Sequence, residues 1–320
     1  MIVSHGLSRN LQRKLMGSVL TCALLCISVG VFLYAEWAMG AAEAKPALVD
    51  SAITIGFTPG EESSGLKERT NAFVHLLAER TGLRLKSYVG TSYSDLIDKM
   101  VERKVDFAFL SASSFVEAEA RCGAKVLLKK VWEGPFYYSV LLVPVKSKIR
   151  SLKELKKKRI AFVDEKSASG YLYPLAAFRQ AGLSEKTDFA SSTFSGRHDR
   201  SVQLLKQGSV DAIAVFSNDK AGHQTAWTQH GGKSGEVRVL WSSAPIPNDP
   251  FVVRRDFYEK SPKTAHEVMF GLIEMNEDPA EMATVRKLLG IQSLMLATSQ
   301  QYEPVREMVR LLRDAKGEGK

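Results

Sequence analysis

Residues 164–174 carry the sequence Asp-Glu-Lys-Ser-Ala-Ser-Gly-Tyr-Leu-Tyr-Pro, between an apolar run and a helical one. The run before it, residues 159–163, is short and apolar, which is typical of a buried strand. The run after it, residues 175–182, has a helical composition and ends in a glycine. Ser167, Ser169 and Gly170 are therefore expected where a strand is followed by a helix.

The position of the two serines favours an anion site. The first N–H groups of a helix lack backbone partners and carry a partial positive charge, so they attract anions. The hydroxyls of Ser167 and Ser169 add donors that can turn toward a ligand. Helix capping is the alternative interpretation, because serine is a favoured N-cap residue on any helix.

The same stretch resembles the Ser-Thr-Ser-Gly-Tyr-x-x-Pro segment of the periplasmic phosphonate-, phosphite- and phosphate-binding proteins, the solute receptors of ABC importers. Ala168 stands where that family usually has threonine, so one hydroxyl donor is absent. Similar segments extend the resemblance from about Ile53 to about Tyr258. The resemblance implies a small phosphorus oxyanion as the ligand, held partly at Ser167, Ala168 and Ser169, and an ABC permease as the partner.

Strand-like and helix-like runs alternate along the chain. An apolar run at 53–58 is followed by an amphipathic helical pattern at 66–80, and an alternating run at 83–89 by a helical pattern at 92–103. This order predicts βαβ units with parallel pairing.

The resemblance implies an α/β fold of the type II periplasmic binding protein class. Two domains, each a mostly parallel sheet flanked by helices, are then joined by two crossover hinge strands. We expect domain 1 at residues 45–143 plus 248–314, domain 2 at 144–247, and a disordered tail at 315–320.

The first 44 residues have the parts of an export signal. Basic residues precede an uncharged run from 15 to 35, and small residues follow up to Ala44. An uncleaved membrane anchor is the alternative, because the uncharged run is long enough to span the hydrocarbon core as a helix. We expect the protein in the periplasm, with residues 1–44 as a signal peptide or an anchor.

Composition excludes some classes of function. The net charge of +9 suits an anionic ligand or membrane surface. No aromatic–basic RNA motif or Cys/His finger accompanies it, so we expect no nucleic-acid partner. Cys122 is the one cysteine after the predicted signal, so no internal disulfide is expected. No CxxC, HExxH or clustered His/Cys set occurs, and we expect neither a metal nor another cofactor.

Three further segments before residue 144 resemble site segments of the family. Tyr93 starts the second predicted helix, where the family uses a tyrosine on the bound anion; a core or capping aromatic is the alternative. Ser111 and Ser113 follow a strand where the family shows Gly-Pro-x-Ser-Tyr, and could contribute donors or simply cap a helix. The family also uses a tyrosine on the strand at 137–143. We favour Tyr138 there but leave Tyr137 open, since neighbours on a strand face opposite ways.

Three later residues complete the predicted site. His198 lies in a segment similar to the family's Gly-x-His-Asp, before a helix, where an imidazole N–H can donate to a phosphoryl oxygen. Asn218 stands near the position where aminoalkylphosphonate receptors carry a glutamate. Asp249 matches an acidic site residue in the family's Ile-Pro-x-Asp-Pro return, although aspartate is also common in turns.

The resemblance therefore implies a receptor that closes on an oxyanion in the cleft between two domains and delivers it to a permease, and we expect a monomer that catalyses no reaction. A membrane-tethered sensory domain that signals to a histidine kinase is the first alternative. A phosphate-ester hydrolase is the second, since Ser167 or Ser169 could pair with His198. It is disfavoured because no Gly-x-Ser-x-Gly elbow and no metal cluster is present.

Overall fold

The computed structural model describes residues 52–59 and 63–314. The predicted export signal at 1–44 and the predicted tail at 315–320 lie outside these residues. None of the described helices combines the length and the apolar character that a membrane span requires.

The strands follow the apolar runs of the sequence closely, and most of them are buried. They are β1 (Ile53–Phe57), β2 (Leu85–Val89), β3 (Phe107–Phe109), β4 (Lys125–Val131), β5 (Phe136–Pro144), β6 (Arg159–Phe162), β7 (Ser191–Phe194), β8 (Ala212–Ser217), β9 (Val237–Ser242), β10 (Ile246–Pro247), β11 (Pro250–Val253) and β12 (Ser293–Leu296).

The helices occupy the segments between the strands and the end of the chain. They are α1 (Ser63–Thr81), α2 (Tyr93–Val101), α3 (Ala112–Cys122), α4 (Tyr173–Gln180), α5 (Glu185–Asp188), α6 (His198–Lys206), α7 (Ala226–Gln229), α8 (Arg255–Lys260), α9 (Pro262–Glu277), α10 (Pro279–Leu289) and α11 (Glu303–Asp314). A single π-helical turn, Ala168–Leu172, precedes α4.

The strands form two mixed sheets, and the prediction that each sheet is mostly parallel is wrong, because the strands on one side of each sheet pair antiparallel. The first has the order β12-β4-β11-β3-β1-β2, with parallel pairing among β3, β1 and β2 and antiparallel pairing elsewhere. The second has the order β10-β5-β8-β6-β7, with β9 paired to β5, and its parallel pairs join β6 to β7 and β8. The predicted βαβ units are confirmed in these parallel parts of both sheets.

The chain passes between the sheets twice. It leaves the first sheet after β4 and enters the second at β5, and it returns between β10 and β11. We call the first sheet with α1–α3 and α8–α10 the first lobe, and the second sheet with α4–α7 the second lobe. The domain limits drawn from the sequence stay a prediction.

Strand β4 was not predicted, because lysines interrupt its apolar pattern. Lys129 is nevertheless buried, and its Nζ donates to the carbonyl oxygen of Pro135 at 3.3 Å. Burial lowers the pKa of this lysine. The strand is held by its position between β11 and β12 rather than by a local sequence signal.

The last helix, α11, packs on both lobes. Val305 belongs to a core cluster with Phe115 of α3, whereas Leu312 belongs to a cluster with Tyr171 and Phe178 of the second lobe. Polar contacts match this division. Arg306 Nη2 lies 2.6 Å from Glu119 of α3, and Arg179 of α4 donates to the carbonyl oxygen of Leu312 at 3.0 Å. The end of the described chain thus joins the lobes.

Candidate ligand-binding cleft

A cavity of about 390 Å³ lies between the two lobes. Its polar wall comes largely from residues that follow the carboxyl ends of parallel strands, which is where open α/β sheets bind ligands. The residues predicted from the sequence that line it are Tyr93, Ser111, Ser167, Ser169, His198, Asn218 and Asp249. The structure thus brings seven predicted residues to one cavity, and whether each contacts a ligand stays a prediction.

The serine loop, residues 164–172 between β6 and α4, presents donors that no described residue pairs. Ser167 caps the π turn, with its Oγ accepting the N–H of Gly170 at 3.0 Å. The carbonyl of Ser169 is fixed by the hydroxyl of Ser139 at 2.6 Å. Within the described residues, no hydrogen bond involves the hydroxyl of Ser169 or the N–H groups of Ala168 and Ser169. Capping and donor presentation therefore occur in the same loop.

Gly170 allows this loop to pack closely against β6. A Cβ placed at Gly170 would lie 2.5 Å from Cβ of Val163 and 2.8 Å from Oγ of Ser167. A side chain at this position would displace the serine that caps the turn. Ala168 is nearly inaccessible and packs in a core cluster with Tyr173 and Ile246. Its N–H, rather than its side chain, is what it can offer to a ligand.

Ser113 is not on the cavity wall. Its hydroxyl donates to the carbonyl of Lys166, so that α3 of the first lobe is joined to the serine loop of the second. The ammonium of Lys166 in turn lies 2.6 Å from a carboxylate oxygen of Glu117. Ser111 combines both situations, since it caps α3 through the N–H of Ser114 at 3.1 Å and also lines the cavity.

The two tyrosines that the sequence left open are separated by the pleat of β5. Tyr137 is buried and lines the cavity, whereas Tyr138 is half-buried and is not part of the wall. Burial raises the pKa of Tyr137 well above its usual range, so its phenol stays a neutral donor. The structure therefore places Tyr137 at the site in the position for which Tyr138 was favoured.

Tyr93 is buried as the first residue of α2 and lines the cavity with its side chain. Its backbone N–H bonds to the carboxylate of Asp164 at the start of the serine loop, which is a second contact across the cleft. Burial outweighs this hydrogen bond and raises the pKa of Asp164.

His198 is the first residue of α6 and is buried against the ring of Phe216, whose centroid lies 4.9 Å from that of the imidazole. Its Nδ1 is buried without a hydrogen-bond partner among the described residues. Burial, together with the neighbouring His230, lowers the pKa of His198 to about 3, and Asp199 opposes this only weakly. The imidazole is therefore neutral at pH 7, with one N–H donor and one acceptor nitrogen.

The buried imidazole predicts a specific loss of stability in acid. The unfolded chain takes up a proton near pH 6.5, while the folded protein resists it down to about pH 3. Stability is therefore highest above pH 6.5 and falls as the pH drops through this interval. As the pH falls from 7 to 4.5, the free energy of unfolding in urea should decrease by about 1–2 kcal/mol less for His198→Gln than for the wild type. The exposed control His75→Gln should follow the wild type, and parallel curves for all three proteins would contradict the assignment.

Asn218 and Asp249 follow β8 and β10, respectively. Asn218 is 7% exposed and bears no charge, so it cannot balance a ligand ammonium. Asp249 lies 3.7 Å from Nζ of Lys130 on β4. The acidic residue of the wall is thus accompanied by a cation from the same lobe.

Several wall residues were not found by sequence reasoning. The largest group is cationic or aromatic and comes from α1, β4, the end of α7 and the end of α10: Arg69, Lys130, Trp132, His230 and Lys287. His230 lies in no motif that would single it out in the sequence, and it follows the four-residue helix α7. Thr58 carried a usable signal, since it follows β1 as Ser111 follows β3. No group of three or more metal-binding side chains occurs among the described residues.

Comparisons with known proteins identify a family and a fold. The family described as "ABC transporter, phosphonate, periplasmic substrate-binding protein" matches residues 55–302. The phosphonates-binding periplasmic protein of Escherichia coli is 27% identical over 266 residues, which cover 81% of this chain and 76% of that protein. The phosphate-import protein PhnD of Mycolicibacterium smegmatis is 29% identical over 211 residues, which cover 62% of this chain and 65% of that protein.

A solved structure gives the same result for the fold. PhnD1 of Prochlorococcus marinus in complex with methylphosphonate has a TM-score of 0.71 and 20% sequence identity, covering 82% of this chain and 98% of that one. The predicted type II periplasmic binding protein fold is confirmed. Because the family match covers most of the sequence, the chain belongs to the periplasmic substrate-binding proteins of phosphonate ABC transporters.

Proposed function

We propose that the cavity binds a phosphonate, phosphite or phosphate-type oxyanion and that the protein delivers it to an ABC permease from the periplasm. One observation carries the proposal. Polar groups with no hydrogen-bond partner among the described residues lie at one cavity, at two separate helix starts: the hydroxyl of Ser169, and the imidazole of His198 with its unpaired Nδ1. Helix starts favour negative charge, and donors aimed at an anion form stronger hydrogen bonds than neutral pairs do.

The donor set suits a tetrahedral anion of small size. Hydroxyl and N–H donors bind phosphoryl oxygens without a paired cation, and Tyr93 and Tyr137 form walls that exclude water. The uncharged Asn218 offers no carboxylate to a ligand amine, which disfavours an aminoalkyl ligand. Opening and closing of the two lobes about the strand connections would admit and hold the ligand.

We infer binding without catalysis. No hydrogen bond among the described residues joins His198 to Ser167 or Ser169, so neither hydroxyl has the adjacent base that a nucleophile needs. The relatives are named as binding and import proteins, which agrees with transport. We propose that the protein acts as a monomer.

A thermal-shift panel tests this function. The panel contains phosphate, phosphite, hypophosphite, methylphosphonate, 2-aminoethylphosphonate, sulfate and taurine, added to protein freed of bound solute. A ligand at about 100 times its dissociation constant should stabilise the fold by about 2.7 kcal/mol. A shift with a phosphorus compound supports the proposal, and no shift with any of them contradicts it.

Calorimetry on two variants locates the site. We expect Ser169→Ala and His198→Ala each to weaken binding by about 1–3 kcal/mol, because each removes a hydrogen bond to a charged ligand. The matched controls Ser209→Ala and His75→Ala lie on exposed surfaces outside the cavity and should bind like the wild type. Wild-type affinity in both site variants would remove the proposed site.

A further inference from the structure

The cavity is larger than a simple alkylphosphonate requires. Its volume of about 390 Å³ corresponds to about a dozen waters at about 30 Å³ each, whereas methylphosphonate is a small anion with a single methyl group on phosphorus. The volume falls in the range of about 300–1,000 Å³ that is usual for sites of larger organic ligands. The contacts that join the lobes through Lys166, Asp164 and α11 are formed at this volume. The structure therefore leaves room for a second chemical group beside the phosphoryl group.

The part of the cavity wall that sequence reasoning did not find is largely cationic. Arg69, Lys130 and Lys287 line it, and Asp249 is the one carboxylate among the described residues of the cavity. The Nζ of Lys130 lies 3.7 Å from an oxygen of this carboxylate, so part of its charge is neutralised. Neither Arg69 nor Lys287 forms an ion pair or a side-chain hydrogen bond with any described residue. Positive charge in this part of the wall thus exceeds what the described carboxylates neutralise.

The cationic wall is separate from the serine loop. Arg69, Lys130 and Lys287 come from α1, β4 and α10 of the first lobe, whereas the serine loop belongs to the second lobe. Trp132 at the end of β4 donates its indole N–H to the carbonyl of Gly290 at 2.9 Å, which holds the last turn of α10 and Lys287 at the cavity. One molecule that contacts both groups therefore spans the cleft between the lobes.

We propose that Arg69, Lys130 and Lys287 form a second anion subsite in this cavity. The ligand is then an organic phosphonate or phosphate ester that carries a second anionic group, either a carboxylate or another phosphoryl group. This inference rests on the proposed function, since it assumes that the serine loop holds the first group. Trp132 and the apolar residues of the wall would contact the carbon chain between the two groups.

A matched pair of ligands tests the subsite. 3-Phosphonopropionate and propylphosphonate share the phosphonate and the chain length, and differ in a terminal carboxylate against a methyl group. Calorimetry on the full purified protein should show 3-phosphonopropionate binding at least about tenfold more tightly. In Arg69→Gln/Lys287→Gln this preference should vanish while the affinity for propylphosphonate is kept.

A control variant separates local binding from general attraction. Lys186→Gln/Lys263→Gln removes the same charge from exposed positions outside the cavity and should keep the preference. Equal affinities in the wild type, or a preference that persists in the Arg69/Lys287 variant, would overturn the subsite. Binding of methylphosphonate alone would also overturn it while leaving the proposed function intact. Failure of all three phosphonates and of phosphate to bind would overturn both.

Discussion

Replacement of Phe251 by alanine should lower the free energy of unfolding by about 3–5 kcal/mol. Phe251 is fully buried on β11, in the middle of the first sheet. Its ring centroid lies 4.7 Å from that of Phe109 and 5.6 Å from that of Phe107. Truncation leaves a cavity at the strand that returns the chain to the first lobe. Urea unfolding monitored by circular dichroism measures the loss.

Phe270 provides the matched control, because it is also a phenylalanine but is 54% exposed on α9. Phe270→Ala should change stability by no more than about 0.5 kcal/mol. Similar losses in the two variants would contradict the placement of the core. If Phe251→Ala does not accumulate as folded protein, Phe251→Leu should still lose about 1–2 kcal/mol.

Replacement of Ser169 by aspartate should weaken oxyanion binding by more than about 100-fold. The new carboxylate would lie among donors that point at the ligand, and like charges at short distance cost several kcal/mol. Asparagine has nearly the same size as aspartate but no charge. Ser169→Asn should therefore lose only the hydrogen bond of the serine, which weakens binding by about 1–3 kcal/mol. Calorimetry with the ligand identified in the panel measures both affinities.

The difference between these two variants is the informative quantity. Equal losses for Asp and Asn would mean that size rather than charge governs the position, which would contradict an anion beside Ser169. Melting temperatures of the ligand-free variants check the fold. If the melting temperature decreases by a similar amount in both variants, the change reflects packing that the two substitutions share. The comparison of their affinities then remains valid.

Much of the fold could be predicted from the sequence, because its signals are local. Apolar runs such as 53–57 and 159–162 became strands, Gly170 lies in the turn that joins β6 to α4, and Pro174 lies in the first turn of α4. Strands β4 and β7 were missed for a physical reason. β4 contains lysines and β7 is a polar edge strand, so both depend on neighbours that are distant in sequence.

The site divides in the same way. Ser111, Ser167 and His198 could be found because a strand followed by a helix start is visible in the sequence. Arg69 and Lys287 could not, since their approach to the cavity depends on how α1 and α10 pack. The choice between Tyr137 and Tyr138 required the pairing of β5, because either face of that strand could have met the cleft.

The seating of α11 on both lobes affects more than the core. Two strand connections alone leave a line about which the lobes can turn. A helix attached to Glu119 on one side and to Arg179 on the other adds an attachment between the lobes, besides the contact of Ser113 with Lys166. Rotation that widens the cleft must then shear one of these attachments. The energy of opening, and with it the apparent strength of ligand binding, is therefore set partly by residues remote from the oxyanion. Variation near the carboxyl terminus can tune a receptor of this kind without changing any group that the solute touches.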